Sequence, residues 1–293
     1  RELRYWDWFK LVTIQHNTPY NGSESNDNLN MQYIDIDDDN STFSSSSAAL
    51  EIPDLQCSKI VYAGLYWSAV YKYNEEDDQS SGRENDWNQV KFKTPTGNYV
   101  NLTADEILFD GQNDSDFGDY SPYACYKDVT SIVQGISDPT GEYTVANVRA
   151  SSGSNLPGGM SGGWSLVIVY ENPTLVGKKI TTFDGYAGIK SGENLNIPVQ
   201  GFKTLPKPFP VHANMGVMAL EGDRGISGDQ LRIKAYGKSQ FERLYNDVNP
   251  WNNFFNGSIS LQTENDNGQI NLNRNPNSEN TLGWDVDLFK INN

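Results

Sequence analysis

The 293-residue sequence is poor in cysteine and histidine, with two of each, and it contains no long apolar run. No stretch approaches the roughly 20 apolar residues that cross a bilayer, and the first ten residues lack the apolar core of a secretory signal. We therefore expect a soluble chain that is mature or excised from a longer precursor. The two cysteines, Cys57 and Cys125, form no CxxC pair of the kind that binds zinc. They either join in a disulfide or lie apart as small buried side chains, and we predict the disulfide.

Basic residues are also scarce. The chain has 22 lysines and arginines against 38 aspartates and glutamates, which gives a net charge of −16. A negative surface repels phosphate backbones and anionic lipid head groups. We therefore expect neither nucleic acid binding nor direct membrane insertion, and cations are the natural counter-species of such a surface.

The residues that are plentiful favour a folded β protein. Hydrophobic residues make up 37% of the chain and aromatic residues 12%, which is too rich a content for general disorder. The polar excess consists of Asn, Asp, Ser and Gly, which favour turns and loops over helices. Strand-like runs bounded by turn residues dominate the chain. They cover residues 59–71, 142–150, 163–171, 178–189, 229–237 and 257–263.

These runs predict an all-β chain. The simplest architecture is a β-sandwich or jelly roll with long loops and a few short helices. In residues 59–71 and 163–171 apolar side chains occupy both alternating faces, as in central strands that are covered on both sides. Because we find no repeat and no long flexible linker, we expect one elaborated domain over residues 30–293. We expect residues 1–29 to form an N-terminal extension or an edge strand.

Two short helices are predicted. Residues 128–136 place apolar side chains at helical spacing behind Asp128, which would serve as the N-cap. Residues 239–248 begin with Ser239 and carry Glu242 three residues later, which is a capping-box pattern followed by an apolar stripe.

The stretch DIDDDN concentrates carboxylates in a short space. Asp35, Asp37 and Asp39 would share one face of a strand, and in a loop their oxygens could converge on a hard cation. The spacing imitates the first half of an EF-hand loop, but Asn40 stands where glycine is needed and Ser46 where glutamate is needed. We therefore reject an EF-hand, and a calcium site with ligands from distant segments stays open.

Candidate ligands that would complete such a site lie in two later segments. Glu221, Asp223 and Asp229 belong to one of them, and Asp285 and Asp287 to the other. The last two share a strand face, so if the opposite apolar face is core, they point outward or meet a cation. Calcium is favoured because oxygen ligands are plentiful and soft ligands are scarce. The alternative is that all these acids are solvated loop and edge residues. The predicted metal ligands are Asp35, Asp37, Asp39, Glu221, Asp223, Asp285 and Asp287.

Catalytic patterns in the sequence are weak. Ser161 lies in a G-x-S-x-G pattern, but it follows a glycine-rich loop and precedes a strand, whereas a nucleophile elbow follows a strand and opens a helix. The two histidines, His16 and His212, lie in no recognisable triad. Glycosidase chemistry needs two carboxylates, and no pair among the 38 acidic residues stands out. We predict that the chain is not an enzyme and has no catalytic residues.

Aromatic side chains in polar surroundings can stack on sugar rings. Trp87 lies in one polar stretch, and Trp251, Phe254 and Phe255 lie among asparagines in another. We predict that these four residues form the rim of a ligand site. The alternative is a loop that folds back over the edge of the sandwich.

Nine sequence blocks follow one another in a characteristic order. The blocks are YIDIDDDNSTFSSSSAAL, IVYAGLYWSAVY, YACYKDVTSIV, GEYTVANVRA, GGWSLVIVYENP, FDGYAGI, ALEGDRGISGDQL, NPWNNFFNGSI and NTLGWDVD. In this order they resemble the N-terminal region of large secreted surface proteins of Bacteroidota, such as the giant gliding-motility adhesins of flavobacteria and related proteins exported by type IX secretion. The resemblance spans about residues 30–293, while residues 1–29 match the pattern poorly.

The resemblance implies a cell-surface or extracellular location and an adhesive or structural role at the start of a long filamentous protein. It supplies neither catalytic residues nor a ligand. The acidic blocks resemble the cation ligands of a secreted adhesin, in which calcium would rigidify loops. Since such proteins usually carry a C-terminal sorting domain, we expect the chain to be a fragment.

Three functions follow as hypotheses. The first is a non-enzymatic adhesion module, stabilised by calcium, that contacts polysaccharide, an abiotic surface or another cell-surface protein during gliding or attachment. The second is an extracellular carbohydrate-active enzyme on a jelly-roll fold. The third is a purely structural filament cap or protein-docking domain.

Overall fold

The fold consists almost entirely of strands, as the sequence predicts. The computed structural model describes residues 2–7, 10–15, 17–73, 82–153, 158–204, 206, 209, 211–263 and 266–291. Strands account for 34% of the chain and helices for 4%. The predicted all-β class is therefore confirmed, and the arrangement of sheets is consistent with a β-sandwich.

The described residues form seventeen strands and one short α-helix, α1 (Thr130–Gln134). Two 3-10 turns cover Asn26–Asn28 and Leu55–Cys57. The strands are β1 (Glu2–Asp7), β2 (Lys10–Gln15), β3 (Ser45–Leu50), β4 (Lys59–Val70), β5 (Gln89–Lys93), β6 (Val100–Thr103), β7 (Glu106–Asp110), β8 (Pro122–Asp128), β9 (Gly141–Ala146), β10 (Gly162–Glu171), β11 (Ala213–Gly222), β12 (Arg232–Ile233), β13 (Glu242–Arg243), β14 (Ile259–Leu261), β15 (Gln269–Ile270), β16 (Arg274–Asn275) and β17 (Gly283–Ile291).

Three sheets and two hairpins contain these strands. The front sheet has the order β16-β3-β9-β5-β6, the back sheet β10-β4-β8-β7, and the third sheet β11-β17-β14-β15. The hairpins are β1-β2 and β12-β13. The strands pair antiparallel, apart from β14 and β17, which run parallel.

The front and back sheets share one hydrophobic core. Strand β4 supplies Leu65 and Trp67, both fully buried, and they lie in one cluster with Phe92 of β5 and Tyr143 of β9. The rings of Phe92 and Tyr143 stack with centroids 5.8 Å apart. Burying one large apolar side chain contributes about 1.5–3 kcal/mol, so this layer supplies much of the driving force for folding. The predicted sandwich core thus lies between these two sheets.

Strand β4 occupies the position that its apolar pattern predicts, but β10 does not. Strand β4 lies between β10 and β8 within the back sheet, and residues on both of its faces are buried, Leu65 and Trp67 in the sandwich core and Tyr66 beside Asp184. Strand β10 is the outermost strand of the back sheet, and its residues from Gly163 to Tyr170 are all half-buried. The prediction that residues 163–171 form a central strand is therefore wrong. Apolar side chains on both faces of a strand do not show whether another strand pairs with each of its two edges.

The third sheet is joined to the sandwich through β17 and β10. Trp284 at the start of β17 packs over Gly163, where an added Cβ would come within 2.5 Å of the indole. Trp284 is buried, and so are Asp285 and Asp287 on the opposite face of the same strand. Both faces of β17 are therefore covered at this end of the strand, one by the sandwich and one by residues 246–258.

Only one of the two predicted helices forms. Helix α1 lies within residues 128–136, and the Asp128 carboxylate accepts a hydrogen bond of 2.8 Å from the Thr130 amide, close to the predicted capping role. Residues 239–248 contain β13 instead of a helix. Phe241 and Tyr245 of the expected apolar stripe are exposed, so no other part of the protein packs on them. A short helix without tertiary packing has only marginal stability.

Two of the predicted strands also fail. Residues 178–189 form no strand, and only Arg232–Ile233 pair within residues 229–237. Within the described part of the chain, no strand pairs with residues 178–189 as a neighbour. Strand pairing depends on that neighbour, and the sequence of the segment does not contain it.

Candidate binding face

The most exposed apolar part of the molecule is the connection between β10 and β11, residues 172–212, which we call the connecting segment. Its described residues contain neither strand nor helix. Val176 is 84% exposed and Ile197 is 66% exposed, although both are aliphatic. The large exposed apolar residues of the segment are Leu175, Val176, Ile180, Phe183, Ile189, Leu195, Ile197, Val199, Phe202 and Phe209.

Polar and aromatic contacts fix the connecting segment to the outside of the back sheet. The ring of Tyr186 stacks on Phe109 of β7, with centroids 4.2 Å apart and planes 5° apart. The Asp184 carboxylate accepts a hydrogen bond of 2.6 Å from the Tyr66 hydroxyl of β4. These two contacts hold the middle of the connecting segment against the back sheet.

A second exposed apolar group lies on the aromatic hairpin, which comprises β12, β13 and the residues around them up to Trp251. Tyr236 is fully exposed at the tip, and Phe241, Tyr245 and Trp251 are also exposed. The guanidinium of Arg243 lies 4.3 Å from the ring centroid of Trp251. Such cation–π contacts hold an exposed ring in place.

The hairpin and the connecting segment are neighbours. A guanidinium nitrogen of Arg232 in β12 donates a hydrogen bond to the side-chain carbonyl of Asn194. Together the two parts form one surface, which we call the exposed face. Its connecting segment carries five lysines and two acidic residues, in a chain whose net charge is −16. The exposed face is therefore apolar and basic on an otherwise acidic protein.

The strands that precede and follow the connecting segment, β10 and β11, each lie at the edge of a sheet. Among the described residues, β10 pairs only with β4, and β11 pairs only with β17. The outer edges of these two long strands therefore present backbone groups without a strand partner. Unpaired edges of this kind are templates for the addition of a further strand.

The four aromatic residues predicted to form a ligand rim do not lie together. Trp87 is half-buried beneath the guanidinium of Arg83, which lies 4.1 Å from its ring. Phe254 is completely buried and packs edge-on against Phe289 at 5.4 Å. Phe255 is half-buried beside Phe254, and only Trp251 is exposed. The predicted rim is wrong as a group, because three of its members serve packing, and Trp251 belongs to the exposed face.

The first predicted group of carboxylates is used within its own loop. Asp35 accepts a hydrogen bond of 2.7 Å from the Ser45 hydroxyl, and Asp39 accepts one of 2.6 Å from Ser41. Burial acts to raise the pKa of Asp37, but hydrogen bonds, first among them that from Tyr99, hold it below its usual value. The loop is ordered by these bonds, and its carboxylates point at protein donors.

The second predicted group, Glu221 and Asp223, lies beside the N-terminal part of the chain. Glu221 accepts hydrogen bonds from the Ser161 hydroxyl at 2.5 Å and from the Asn26 amide at 2.9 Å. Burial raises the pKa of Glu221 to about 7, although both hydrogen bonds act to lower it. Burial also raises the pKa of Asp223. Ser161 of the G-x-S-x-G pattern is thus a hydrogen-bond donor to a carboxyl group.

The third predicted group, Asp285 and Asp287, is fully buried. The two side chains lie on the same face of β17 as Phe289, beneath residues 246–258. The expectation that they face outward is wrong, because a polar loop covers them while the apolar Leu288 on the other face is exposed. Burial, and in Asp285 also the charge of Asp287, raises the pKa of both carboxyl groups above the usual value.

The seven predicted metal ligands therefore occupy three places. In the described part of the chain, no three His, Cys, Asp or Glu side chains are arranged to hold a metal ion. Asp229, the remaining candidate, accepts a hydrogen bond of 2.8 Å from the Phe255 amide. A calcium site assembled from all three segments is not what the structure shows.

Both cysteines are free thiols in the structure, which differs from the predicted disulfide. Cys57 is exposed in the 3-10 turn before β4, whereas Cys125 is buried within β8 opposite Trp67. Burial raises the pKa of Cys125 to about 12. The side chain of Cys125 points into the sandwich core, and an exposed turn residue does not reach it there.

The sequence did not predict the exposed face, but it holds one indication of it. Residues 172–212 contain five of the thirteen prolines of the chain, Pro173, Pro198, Pro206, Pro208 and Pro210. Proline lacks the amide donor that a central strand needs. A proline-rich stretch therefore indicates a chain without regular strand pairing.

Comparisons of the chain with protein family models, with curated proteins and with solved structures found no match. The described residues include no helix that is long and apolar enough to cross a membrane.

Proposed function

We propose that this chain is a non-enzymatic adhesion module of an extracellular or cell-surface protein, and that it adheres through the exposed face to a second copy of itself. One observation carries the proposal: ten large apolar side chains of the connecting segment lie in solvent, on a segment whose middle is held against the back sheet. Soluble proteins rarely expose contiguous apolar patches of this kind outside an interaction site.

The composition of the exposed face supports a protein as the partner. Interface hot spots are enriched in Trp, Tyr and Arg, and the aromatic hairpin displays Tyr236, Tyr245, Trp251 and Arg243. A sugar platform would offer flat rings with hydrogen-bonding groups around them, whereas Val176, Ile180 and Ile197 are branched and aliphatic. The branched aliphatic side chains fit a protein surface better than a saccharide.

Charge supports a second copy of the chain as that protein. The connecting segment has five basic and two acidic residues, whereas the whole chain has 22 basic and 38 acidic residues. A basic face on one copy is therefore complementary to the acidic remainder of another copy. Contacts of this head-to-tail kind can continue from copy to copy, as a surface filament requires.

The proposal is tested by sedimentation velocity of the purified chain over a range of concentrations. Wild type is expected to associate, and less so at high salt because screening weakens the charge contacts. V176D/I197D is expected to remain monomeric with an unchanged melting temperature, since both side chains lie in solvent. V100D is the matched control, because Val100 is also exposed but lies on β6, outside the exposed face. A wild-type chain that stays monomeric at millimolar concentration contradicts the proposal.

Incubation with polysaccharides tests the competing functions. If a monomeric chain is retained on alginate or dextran, the partner is a polysaccharide and not a protein. Release of reducing ends would replace adhesion with carbohydrate-active catalysis. Neither retention nor release is expected if the exposed face binds protein.

A second candidate is the structural filament cap, which the open edges of β10 and β11 favour. A neighbouring chain could add a strand to either edge through backbone hydrogen bonds. Association by this route would resist high salt and would persist in V176D/I197D, which distinguishes it from association through the exposed face.

A further inference from the structure

The interior of the third sheet is polar, unlike that of the sandwich. The residues packed between the sheet and residues 246–258 include two carboxylates, two hydroxyls and two amides. All six are at least nine-tenths buried, and five of them are completely inaccessible to solvent: Asp285, Asp287, Ser258, Ser260 and Asn249. The two amides are Asn249 and Asn256. Burying this many polar groups is costly unless each one finds a partner.

Asp285 has partners for both of its oxygens. Its Oδ1 accepts hydrogen bonds from the amides of Asn256 at 2.9 Å and Ser258 at 3.1 Å, and its Oδ2 accepts one from Gly257 at 3.2 Å. These bonds draw residues 256–258 over the carboxylate. Gly257 has a φ of 65°, and an added Cβ there would come within 2.9 Å of the Asn280 side-chain oxygen, so glycine is required at this position.

Asp287 is only half satisfied. Its Oδ1 accepts a hydrogen bond of 2.6 Å from the Ser260 hydroxyl, but its Oδ2 has no hydrogen-bond partner. The Asn256 Oδ1 and Ser258 Oγ atoms, both buried, also have none. Within the described residues no ion pair neutralises either aspartate. Buried acceptors without donors are rare in folded proteins and require an explanation.

Strand register places these groups together. In the parallel pair of β14 and β17, Ser260 lies opposite Asp287 and Ile259 lies opposite Val286. Alternation along the strand therefore puts Ser258 on the same face as Ser260, beside Asp285. Asn256 is next to Asp285 because its amide donates to that carboxylate. One row of oxygens thus faces the interior of this layer.

We propose that this row is a buried binding site for one Ca²⁺ ion, with Asp285, Asp287, Asn256 and Ser258 as its side-chain ligands. Ca²⁺ is bound by carboxylate, amide and hydroxyl oxygens, and it neutralises two carboxylates at once. It also provides a partner for Asp287 Oδ2, Asn256 Oδ1 and Ser258 Oγ, which have no hydrogen-bond donor. Adhesion through the exposed face does not depend on this site, so either proposal can fail alone.

The test begins with equilibrium dialysis of chelator-treated protein against CaCl₂. One ion per chain is expected, and addition of calcium at a hundred times the dissociation constant should raise the melting temperature by about 5 °C. D287N should lose both effects. D37N is the matched control, because the Asp37 carboxylate accepts hydrogen bonds from the Tyr99 and Thr42 hydroxyls. This variant should bind calcium like wild type.

S258A keeps the test decisive if D287N does not fold. The Ser258 hydroxyl makes no hydrogen bond, so its removal should leave the fold intact while the calcium affinity falls severalfold. No calcium uptake by wild type would overturn the proposal, and so would uptake that D37N abolishes or that neither D287N nor S258A weakens. A thermal shift equal in wild type and D287N would also overturn it.

Discussion

Glu221 shows how its surroundings change the chemistry of one carboxyl group. It lies between Ser161 and Asn26, with a backbone φ of 66°, where the rest of the protein displaces water from its side chain. Water stabilises the charged form more than two hydrogen bonds do, so the pKa rises to about 7 from the ordinary value of 4.5. At neutral pH this group is close to its midpoint.

Glu221 is expected to make the folded protein less stable as the pH rises. The folded chain holds the proton up to about pH 7, whereas the unfolded chain releases it near 4.5, so stability falls across that window. The loss is at most about 3 kcal/mol, and it is absent below the lower value. Urea unfolding at pH 4.5 and pH 8 should show that E221Q loses less stability than wild type across this range.

The comparison for that prediction is E51Q, since Glu51 is exposed and its replacement should leave the pH dependence unchanged. Other buried acids, among them Asp285 and Asp287, contribute equally to both proteins and cancel in the difference. An identical pH dependence in wild type and E221Q would contradict a raised pKa at this position.

At the scale of elements, the contact between β10 and β17 joins the third sheet to the sandwich. It depends on a glycine, because Trp284 occupies the space that a side chain at position 163 would need. The indole is buried there, so the contact removes a large apolar area from water. A glycine in a strand interior often marks such a close approach.

G163A is therefore expected to destabilise the protein. The new methyl group would meet the indole carbons at about 2.5 Å, so Trp284 or β10 must shift. Overpacking of this kind costs about 1–3 kcal/mol, which chemical denaturation measures directly. G177A is the matched control, because Gly177 has open space around it and no positive φ. Equal stability of the two variants would show that the sheets are not joined in this way.

The strands and helices also show what short-range sequence patterns can and cannot predict. The apolar run of β4 and the helical spacing of α1 predicted both elements, because each is completed by residues within or next to it. Residues 178–189 are predicted as a strand and form none, and residues 239–248 are predicted as a helix and contain the short strand β13 instead. A pattern specifies which side chains could share a face, but burial of that face requires a partner from elsewhere in the chain.

On the scale of the whole molecule, the connecting segment lies in the sequence between two regions whose buried residues differ in polarity. The sandwich has an apolar core, whereas the third sheet buries aspartates, serines and asparagines. Between them the connecting segment runs across the outside of the back sheet, with few contacts and many exposed side chains. Segments of this kind open more readily than paired strands.

Limited trypsin digestion is expected to cut the connecting segment first. Lys178, Lys179, Lys190 and Lys203 lie in it outside any strand, whereas Lys127 lies within β8 and pairs with Asp105 at 2.5 Å. Mass spectrometry of the earliest fragments, at a concentration where the chain is monomeric, should place the first cuts after the four lysines. Early cleavage after Lys127, with the connecting segment intact, would contradict this picture.

The amino-acid sequence by itself determined the all-β class, the core strand β4 and the ordered acidic loop at Asp35. These follow from composition and short-range periodicity, which depend on neighbouring residues. Only the tertiary structure decided that Asp285 and Asp287 face inward, that Trp87 and Phe254 pack rather than line a rim, and that the connecting segment lies exposed. Whether a side chain is buried depends on segments that are distant in the sequence. Which of them pack together is determined by the free energy of the whole fold.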